Sequence, residues 1–139
     1  MPTSAGAKIE TQHFDDRTLD TLIVCGGLVV EPSTRGFIGF LRNAPARYRR
    51  VASICIEAFP FAEAGALNGR HATTHWLSAE ELRTRFPKVT VEADRIFVQD
   101  GPVWSSAGMT AGIDLAVALV EAHAASSSKE PVRKGPLGL

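Results

Sequence analysis

Residues 50–59 read RVASICIEAF and join a β-branched run to the start of an alanine-rich segment. The run from Val51 to Ile54 is typical of a buried strand, and the segment from Glu57 to Leu67 is typical of a helix. Cys55 lies between them and faces a predicted helix N-terminus, whose unpaired N–H groups favour a thiolate. The sequence therefore predicts that Cys55 is the centre of any chemistry.

Composition limits the classes of function. The chain has 139 residues, 45% hydrophobic and 22% charged, which indicates one soluble globular domain. Fifteen basic and fifteen acidic residues cancel, so we expect no direct nucleic-acid partner. The N-terminus lacks a long apolar run, so we expect no membrane partner and a cytoplasmic location. A reducing cytosol predicts free thiols at Cys25 and Cys55, with Cys25 and Trp104 in the core.

Six short segments have the composition of β-strands. The run before Gly26-Gly27 is apolar, which is typical of a buried parallel strand that ends at a turn. Asp100-Gly101 separates two β-rich runs, and this dipeptide favours the tight turn of a hairpin. The predicted strands are Leu19–Cys25, Val51–Cys55, His71–His75, Val89–Val91, Ile96–Gln99 and Val103–Ser105.

Four segments carry helix signals. Ser33 is the predicted N-cap of the first helix, and Pro45 is predicted to close it. Ser78 and Glu81 have the spacing of a capping box at the start of a helix that reaches Phe86. The other two predicted helices are Glu57–Leu67 and Met109–Ala124, the latter with an apolar face of Ile113, Ala116, Val117 and Val120.

The alternation of strands and helices predicts an α/β class. We expect a flavodoxin-like parallel sheet sandwiched by helices, with a hairpin in the C-terminal half. Ligands of such sheets bind at the carboxyl ends of the strands, where Gly26, Gly27, Cys55 and His75 would meet. Residues 1–18 are expected to be loosely ordered, residues 19–125 to form the domain, and residues 126–139 to be a disordered tail.

Five motifs in a fixed order give the chain a resemblance to a known family. Together they make residues 19–125 similar to the ThiJ/PfpI superfamily, the class I glutamine amidotransferase-like domain. The resemblance is strongest to the domain fused to AraC-type transcriptional regulators and to the isonitrile hydratases. The motifs are Thr21–Gly27, Val51–Phe59, Ala62–Arg70, Ala72–Trp76 and Thr110–Ala116.

This resemblance implies a pocket around Cys55. Cys55 would stand at a nucleophile elbow as the candidate nucleophile, and Gly26 and Gly27 would line the pocket. Ile56, through its amide, and Thr74 are the other residues expected to contact a ligand. No cofactor and no metal is implied, and the expected partner is a small molecule.

Three features depart from the family pattern. Relatives usually follow the elbow cysteine with a small polar residue and a glycine, whereas this chain has Ile56 and Glu57. Relatives also begin with a further strand and helix, which bring an acidic partner for the cysteine in catalytic members, and the regulators continue into a DNA-binding domain. We therefore expect a domain truncated at both ends, with an incomplete sheet.

Each candidate residue also has a purely structural interpretation. Buried thiols behave as small hydrophobic groups, so an inert Cys55 is as well supported as a functional one. Glu57 is a candidate general base, but a carboxylate also suits a first helical turn and would raise the pKa of a nearby thiol. His75 is a candidate for the pocket. Its pairing with His71 lacks a third ligand, so no metal site is predicted.

Three functional hypotheses follow. The favoured one is a small-molecule-sensing or regulatory module without catalysis, related to the effector domain of AraC-type regulators. The alternative is a cysteine-dependent hydratase or hydrolase in which Cys55 attacks an electrophilic carbon and His75 or Glu57 moves the proton. The third is a non-functional remnant, because a sheet without its central strand has unpaired edges. Such an edge also favours a homodimer.

Overall fold

A mixed four-stranded sheet forms the centre of the molecule. The computed structural model describes residues 3, 5–14, 17, 19–27 and 29–127. The strands are β1 Thr21–Val24, β2 Arg50–Ile54, β3 His71–Ala72, β4 Thr90–Val91, β5 Phe97–Asp100 and β6 Val103–Ser106. The order in the main sheet is β1-β2-β6-β5, in which β5 is antiparallel and the others are parallel.

Helices cover both faces of this sheet. The helices are α1 Arg35–Arg47, α2 Ala58–Glu63, α3 Ala79–Arg85 and α4 Ala111–Ser127. One core contains Val51 and Val103 together with residues of α1, α2 and α3, and the other contains Ala52 and Trp104 together with residues of α4. The predicted α/β sandwich is therefore confirmed, and so are the hairpin β5–β6 and the burial of Trp104.

The register of the sheet brings the ends of β1 and β2 together. Val24 is opposite Ser53 in the parallel pair, so the loop after β1 starts beside the turn after β2. β2 has a strand along each edge and a core on each face, and Val51, Ala52 and Ser53 are fully buried. The sheet therefore fixes the place where residues 25–27 and 55–57 meet.

β1 is the terminal strand of the sheet, and this changes the environment of Cys25. Residues of β1 are half-buried or exposed, and Cys25 just beyond it is exposed. The predictions that β1 is buried and that Cys25 packs in the core are therefore wrong. An end strand is covered by a neighbour along one side only, and its apolar sequence alone does not reveal that position.

Two predicted helix signals differ from the structure. Thr34 caps α1 in place of Ser33, since its Oγ1 accepts a hydrogen bond from the Phe37 N–H at 3.3 Å, and Pro45 lies inside α1 instead of ending it. Ser78 makes no side-chain capping bond. It is the last residue of a 3₁₀ turn, Trp76–Ser78, and has helical rather than extended dihedral angles, so its hydroxyl is not placed to cap α3.

The segment after α2 folds differently from its prediction. β3 is two residues long and pairs with β4 in a separate sheet, so a strand over His71–His75 in the main sheet is wrong. The Thr73 N–H donates instead to Oγ of Ser105 at 2.9 Å, which removes it from a strand ladder. α2 ends at Glu63, short of Leu67, and Gly65 follows with a φ of 79°.

α4 buries a face other than the predicted one. Ile113, Val117 and Val120 are 68%, 54% and 69% exposed, and Ala116 is exposed as well. The buried residues are Ala111, Leu115 and Leu119. α4 is apolar around most of its circumference, so periodicity could not select the buried face. The sheet selects it, because Gly112 lies where an added Cβ would be 3.3 Å from Cγ2 of Ile54.

The C-terminal helix extends beyond the predicted end of the domain. α4 continues to Ser127, two residues past the predicted end of the domain, and the rest of the predicted tail lies outside the described residues. Of the helices in the described ranges, none has the length and apolar character needed to cross a bilayer.

The corrected orientation of α4 can be tested by a matched pair of substitutions. Leu115→Ala should lower the free energy of unfolding by about 2–5 kcal/mol, because Leu115 is fully buried against the sheet. Val117→Ala should change it by no more than about 0.5 kcal/mol, because Val117 is exposed. Urea unfolding measures both values, and a larger loss for Val117→Ala would contradict this orientation.

Candidate functional site

A strained turn joins β2 to α2 at Cys55. Among the described residues, Cys55 is the one non-glycine residue with a positive φ, at 60°. It opens a 3₁₀ turn, Cys55–Glu57, that leads directly into α2. A left-handed conformation costs a residue with a Cβ about 1–2 kcal/mol, so surrounding contacts must hold this turn. The thiol consequently lies at the carboxyl end of a sheet strand, as the sequence predicts.

Thr74 is hydrogen-bonded to this turn. Its Oγ1 donates a hydrogen bond to the carbonyl oxygen of Cys55 at 2.8 Å, and Thr74 is fully buried. The preceding residue, Thr73, is fully buried too and is bound to Ser105 of β6 through its N–H. The sequence predicts that Thr74 contacts a ligand, and in the structure its hydroxyl is hydrogen-bonded to the backbone of the turn.

The first cavity beside the turn has a volume of about 200 Å³, and we call it the thiol cavity. His75 forms part of its wall, and Nδ1 of His75 accepts a hydrogen bond from the Leu77 N–H at 3.3 Å. In the neutral ring the proton is then on Nε2, which makes this atom a hydrogen-bond donor. The lining residues are Cys55, Ile56, His75, Leu77, Ser78 and Met109.

A second cavity of about 420 Å³ adjoins the first, and we call it the carboxylate cavity. Ile56 lines both cavities, so they meet at the turn. Two carboxyl groups face the second cavity, and no basic side chain from the described part of the chain lines it. The lining residues are Gly27, Val29, Val30, Glu31, Ser33, Ile56, Glu57 and Pro60.

Gly26 and Glu57 are in close contact. A Cβ built on Gly26 would lie 1.8 Å from Oε1 of Glu57, so the carboxyl group occupies the space that any side chain at position 26 would need. Gly26 does not have a positive φ, so its backbone conformation does not require a glycine. The close approach of the Glu57 carboxyl group does require one. Burial raises the pKa of Glu57 above its ordinary value of 4.5.

The electrostatic environment of Cys55 opposes ionisation. Burial raises the pKa of the thiol above its ordinary value, the N–H of Ile56 lowers it through a hydrogen bond, and the charge of Glu57 raises it further. The net effect is a raised pKa, so the thiolate expected from the helix N-terminus is not favoured. Desolvation is the largest of these influences, and the single hydrogen bond from the Ile56 N–H offsets only part of it.

The structure brings most of the predicted site residues together. Cys55 and His75 line the thiol cavity, Gly27 and Glu57 line the carboxylate cavity, and Gly26 contacts Glu57. His71 is engaged elsewhere, with Glu92 at 3.2 Å. In residues 3–127, leaving aside the undescribed positions, no group of three His, Cys, Asp or Glu side chains is arranged to hold a metal ion.

Sequence reasoning missed several residues of the cavity walls. Val30 and Glu31 come shortly after the twin glycines, and Leu77 and Met109 belong to segments without a recognisable motif. Ser78 is predicted from the sequence only as a helix cap. Leu77 and Met109 are large apolar residues that line the same cavity and are 69% and 70% exposed. Their exposure is a signal available only from the structure.

These features define an α/β sandwich with a cysteine on a strained strand-to-helix turn, between two cavities. The sequence model of the DJ-1/PfpI family matches residues 3–122, and the chain belongs to this family. Isonitrile hydratase of Pseudomonas putida is 36% identical over 125 residues, which are 87% of this chain and 54% of that protein. The HTH-type transcriptional regulator GbdR of Pseudomonas aeruginosa is 32% identical over 103 residues, which are 73% of this chain and 28% of the regulator.

Solved structures agree with this assignment of the fold. An AraC family transcriptional regulator from Pseudomonas putida superposes with a TM-score of 0.65 at 24% identity, over 73% of this chain and 55% of that one. A ThiJ/PfpI family protein from Pseudomonas syringae gives a TM-score of 0.59 at 25% identity, over 88% of this chain and 55% of that one. The chain thus spans about half the length of these structures.

Substitution of Glu57 should shift the ionisation of Cys55. In a Cys25→Ser background, Glu57→Gln removes a negative charge beside the thiol and should lower its pKa. The rate of Cys55 alkylation, measured against pH, should therefore rise at a lower pH in the variant. An unchanged or higher midpoint would contradict the proximity of these two groups, and Cys55→Ser provides the blank.

The same variant should change how stability depends on pH. The folded pKa of Glu57 is raised, so its contribution to stability is present below the unfolded pKa and is lost as pH rises through the folded pKa. Wild type should therefore lose stability relative to Glu57→Gln between about pH 4 and about pH 7. Urea unfolding at these two pH values tests this sign, and a relative gain for wild type would refute it.

Proposed function

We propose that this domain binds a small molecule in the crevice formed by the thiol cavity and the carboxylate cavity, and that it acts as a regulatory module. The observation that carries this proposal is the meeting of the two cavities at Ile56, at the carboxyl ends of β1 and β2. Ligands of open α/β sheets bind at this edge. The similarity to HTH-type regulators supports a role in transcription regulation, in the cytoplasm.

The state of the thiol favours binding over catalysis. A thiol with a raised pKa remains protonated near neutral pH, and the protonated form is a poor nucleophile. Cys55 then contributes a neutral and polarisable wall to the cavity. Ile56 contributes apolar surface to both cavities, and Glu57 contributes carboxyl oxygens to the carboxylate cavity.

The walls indicate the kind of ligand. Glu31 and Glu57 offer carboxyl oxygens, and Ser33 offers a hydroxyl. Val29, Val30, Ile56 and Pro60 supply apolar surface in the same cavity. A ligand with hydrogen-bond donors at one end and a short apolar body fits this distribution.

A second candidate function is a cysteine-dependent hydratase. It is favoured by the left-handed turn at Cys55, which would be a nucleophile elbow, and by His75 in the wall of the same cavity. Isonitrile hydratase is also among the relatives. Cys55 would add to the terminal carbon of an isonitrile as one carbon–nitrogen π bond breaks and the thiol proton goes to that carbon, with the Ile56 N–H and Nε2–H of His75 as hydrogen-bond donors to the developing charge. Water would then add to the resulting thioimidate and release the formamide and the free thiol.

A cavity-filling variant tests the binding proposal. An added Cβ at Gly27 would meet nothing nearer than the Val29 amide nitrogen at 4.0 Å, so Gly27→Leu should fold while its side chain occupies the carboxylate cavity. Compounds from a polar fragment library that raise the melting temperature of wild type should not raise that of Gly27→Leu. Gly36→Leu is the matched control, because position 36 lies on α1 with open space around it.

The outcomes separate the two functions. Fragments that stabilise wild type and Gly36→Leu but not Gly27→Leu support a ligand in the crevice, and equal stabilisation of all three proteins contradicts it. Conversion of a simple alkyl isonitrile to its formamide by wild type, lost in Cys55→Ser, would replace the binding proposal with the hydratase. No turnover above the rate of Cys55→Ser would exclude the hydratase for this chain.

A further inference from the structure

The hydrogen bond between Thr74 and Cys55 connects two walls of the thiol cavity. Thr74 is the residue before His75, and both His75 and Cys55 line this cavity. Oγ1 of Thr74 donates to the Cys55 carbonyl at 2.8 Å, and this bond is buried. One hydroxyl group thus fixes the segment that carries the imidazole to the residue that carries the thiol.

We propose that Thr74 is a positioning residue that holds Cys55 in its left-handed conformation and sets the access of reagents and ligands to the thiol. The inference rests on the proposed function only in taking the crevice around Cys55 as the site. It goes beyond that function because it assigns control of the thiol to a residue outside the cavity lining.

The physical reason is the combination of strain and burial at one peptide group. Cys55 has a φ of 60°, which residues with a Cβ disfavour, so the turn tends to relax unless a contact opposes this. The carbonyl of Cys55 is buried where it bonds Thr74, so it also needs a hydrogen-bond partner within the protein. The Thr74 hydroxyl supplies that partner in the observed conformation. Without the hydroxyl, the buried carbonyl would be unsatisfied, and rotation of the peptide group toward solvent would lower its free energy.

Thr73 offers a matched control within the same segment. It is also a threonine and fully buried, but its hydroxyl donates to the Arg95 carbonyl at 3.4 Å. Thr73→Val therefore removes a buried hydroxyl of the same size, one residue away, without removing the bond to Cys55. A difference between Thr73→Val and Thr74→Val isolates the effect of that bond from general destabilisation.

The experiment measures alkylation of Cys55 by iodoacetamide across a pH series in the Cys25→Ser background. Thr74→Val should accelerate alkylation about tenfold, as the turn opens, and should move the pH midpoint down toward that of a free thiol. Thr74→Ser keeps the hydroxyl and should react at the wild-type rate. Thr73→Val should keep both the rate and the midpoint, and urea unfolding shows how far each variant is destabilised.

Two results would overturn the proposal. One is a Thr74→Val rate and midpoint equal to those of Thr73→Val, which would mean that the bond to Cys55 has no specific effect. The other is an accelerated reaction in Thr74→Ser, which would assign the effect to the lost methyl group. If Thr74→Val does not fold, Thr74→Ala is compared with Thr73→Ala by the same criterion. Fragment binding is not used here, so this proposal and the ligand-binding proposal fail independently.

Discussion

The left-handed backbone of Cys55 is the constraint on which the site depends. β2 must end at Ile54 and α2 must begin at Ala58, and the chain reverses between them within a single 3₁₀ turn. This geometry sends the thiol into one cavity and places Glu57 in the next, with Ile56 between them. The fully buried residues of β2 precede this turn, and the hydroxyl of Thr74 donates a buried hydrogen bond to the Cys55 carbonyl.

Competition between two environments decides the chemistry of the thiol. The Ile56 amide favours the thiolate, whereas burial and the carboxyl group of Glu57 favour the thiol, and the second pair is stronger. Glu57 in turn is held against Gly26, where burial raises its own pKa. A crevice that disfavours charge on both groups is better suited to binding a neutral or donor-rich ligand than to generating a nucleophile.

Much of this arrangement could be predicted from the sequence, because local chemistry determines it. The β-branched run before Cys55, the hairpin at Asp100-Gly101 and the alternation of elements each have short-range causes. Other features depend on partners that are distant in sequence. The Thr73 N–H leaves its strand for Ser105, α4 presents Leu115 instead of Val117 to the sheet, and Cys25 is exposed because β1 is the end strand. The raised pKa of Cys55 also depends on residues that are distant in sequence, because its largest cause is burial in the assembled core.

The most direct measurement is the titration of the Cys55 thiolate by its ultraviolet absorbance in the intact Cys25→Ser protein, with the Cys25→Ser/Cys55→Ser chain as the blank. A buried thiol beside a carboxyl group requires a midpoint above that of a free cysteine, which is about 8.5. A midpoint below this value would show an activated thiolate and would contradict the account of Cys55 as a neutral wall of a binding crevice.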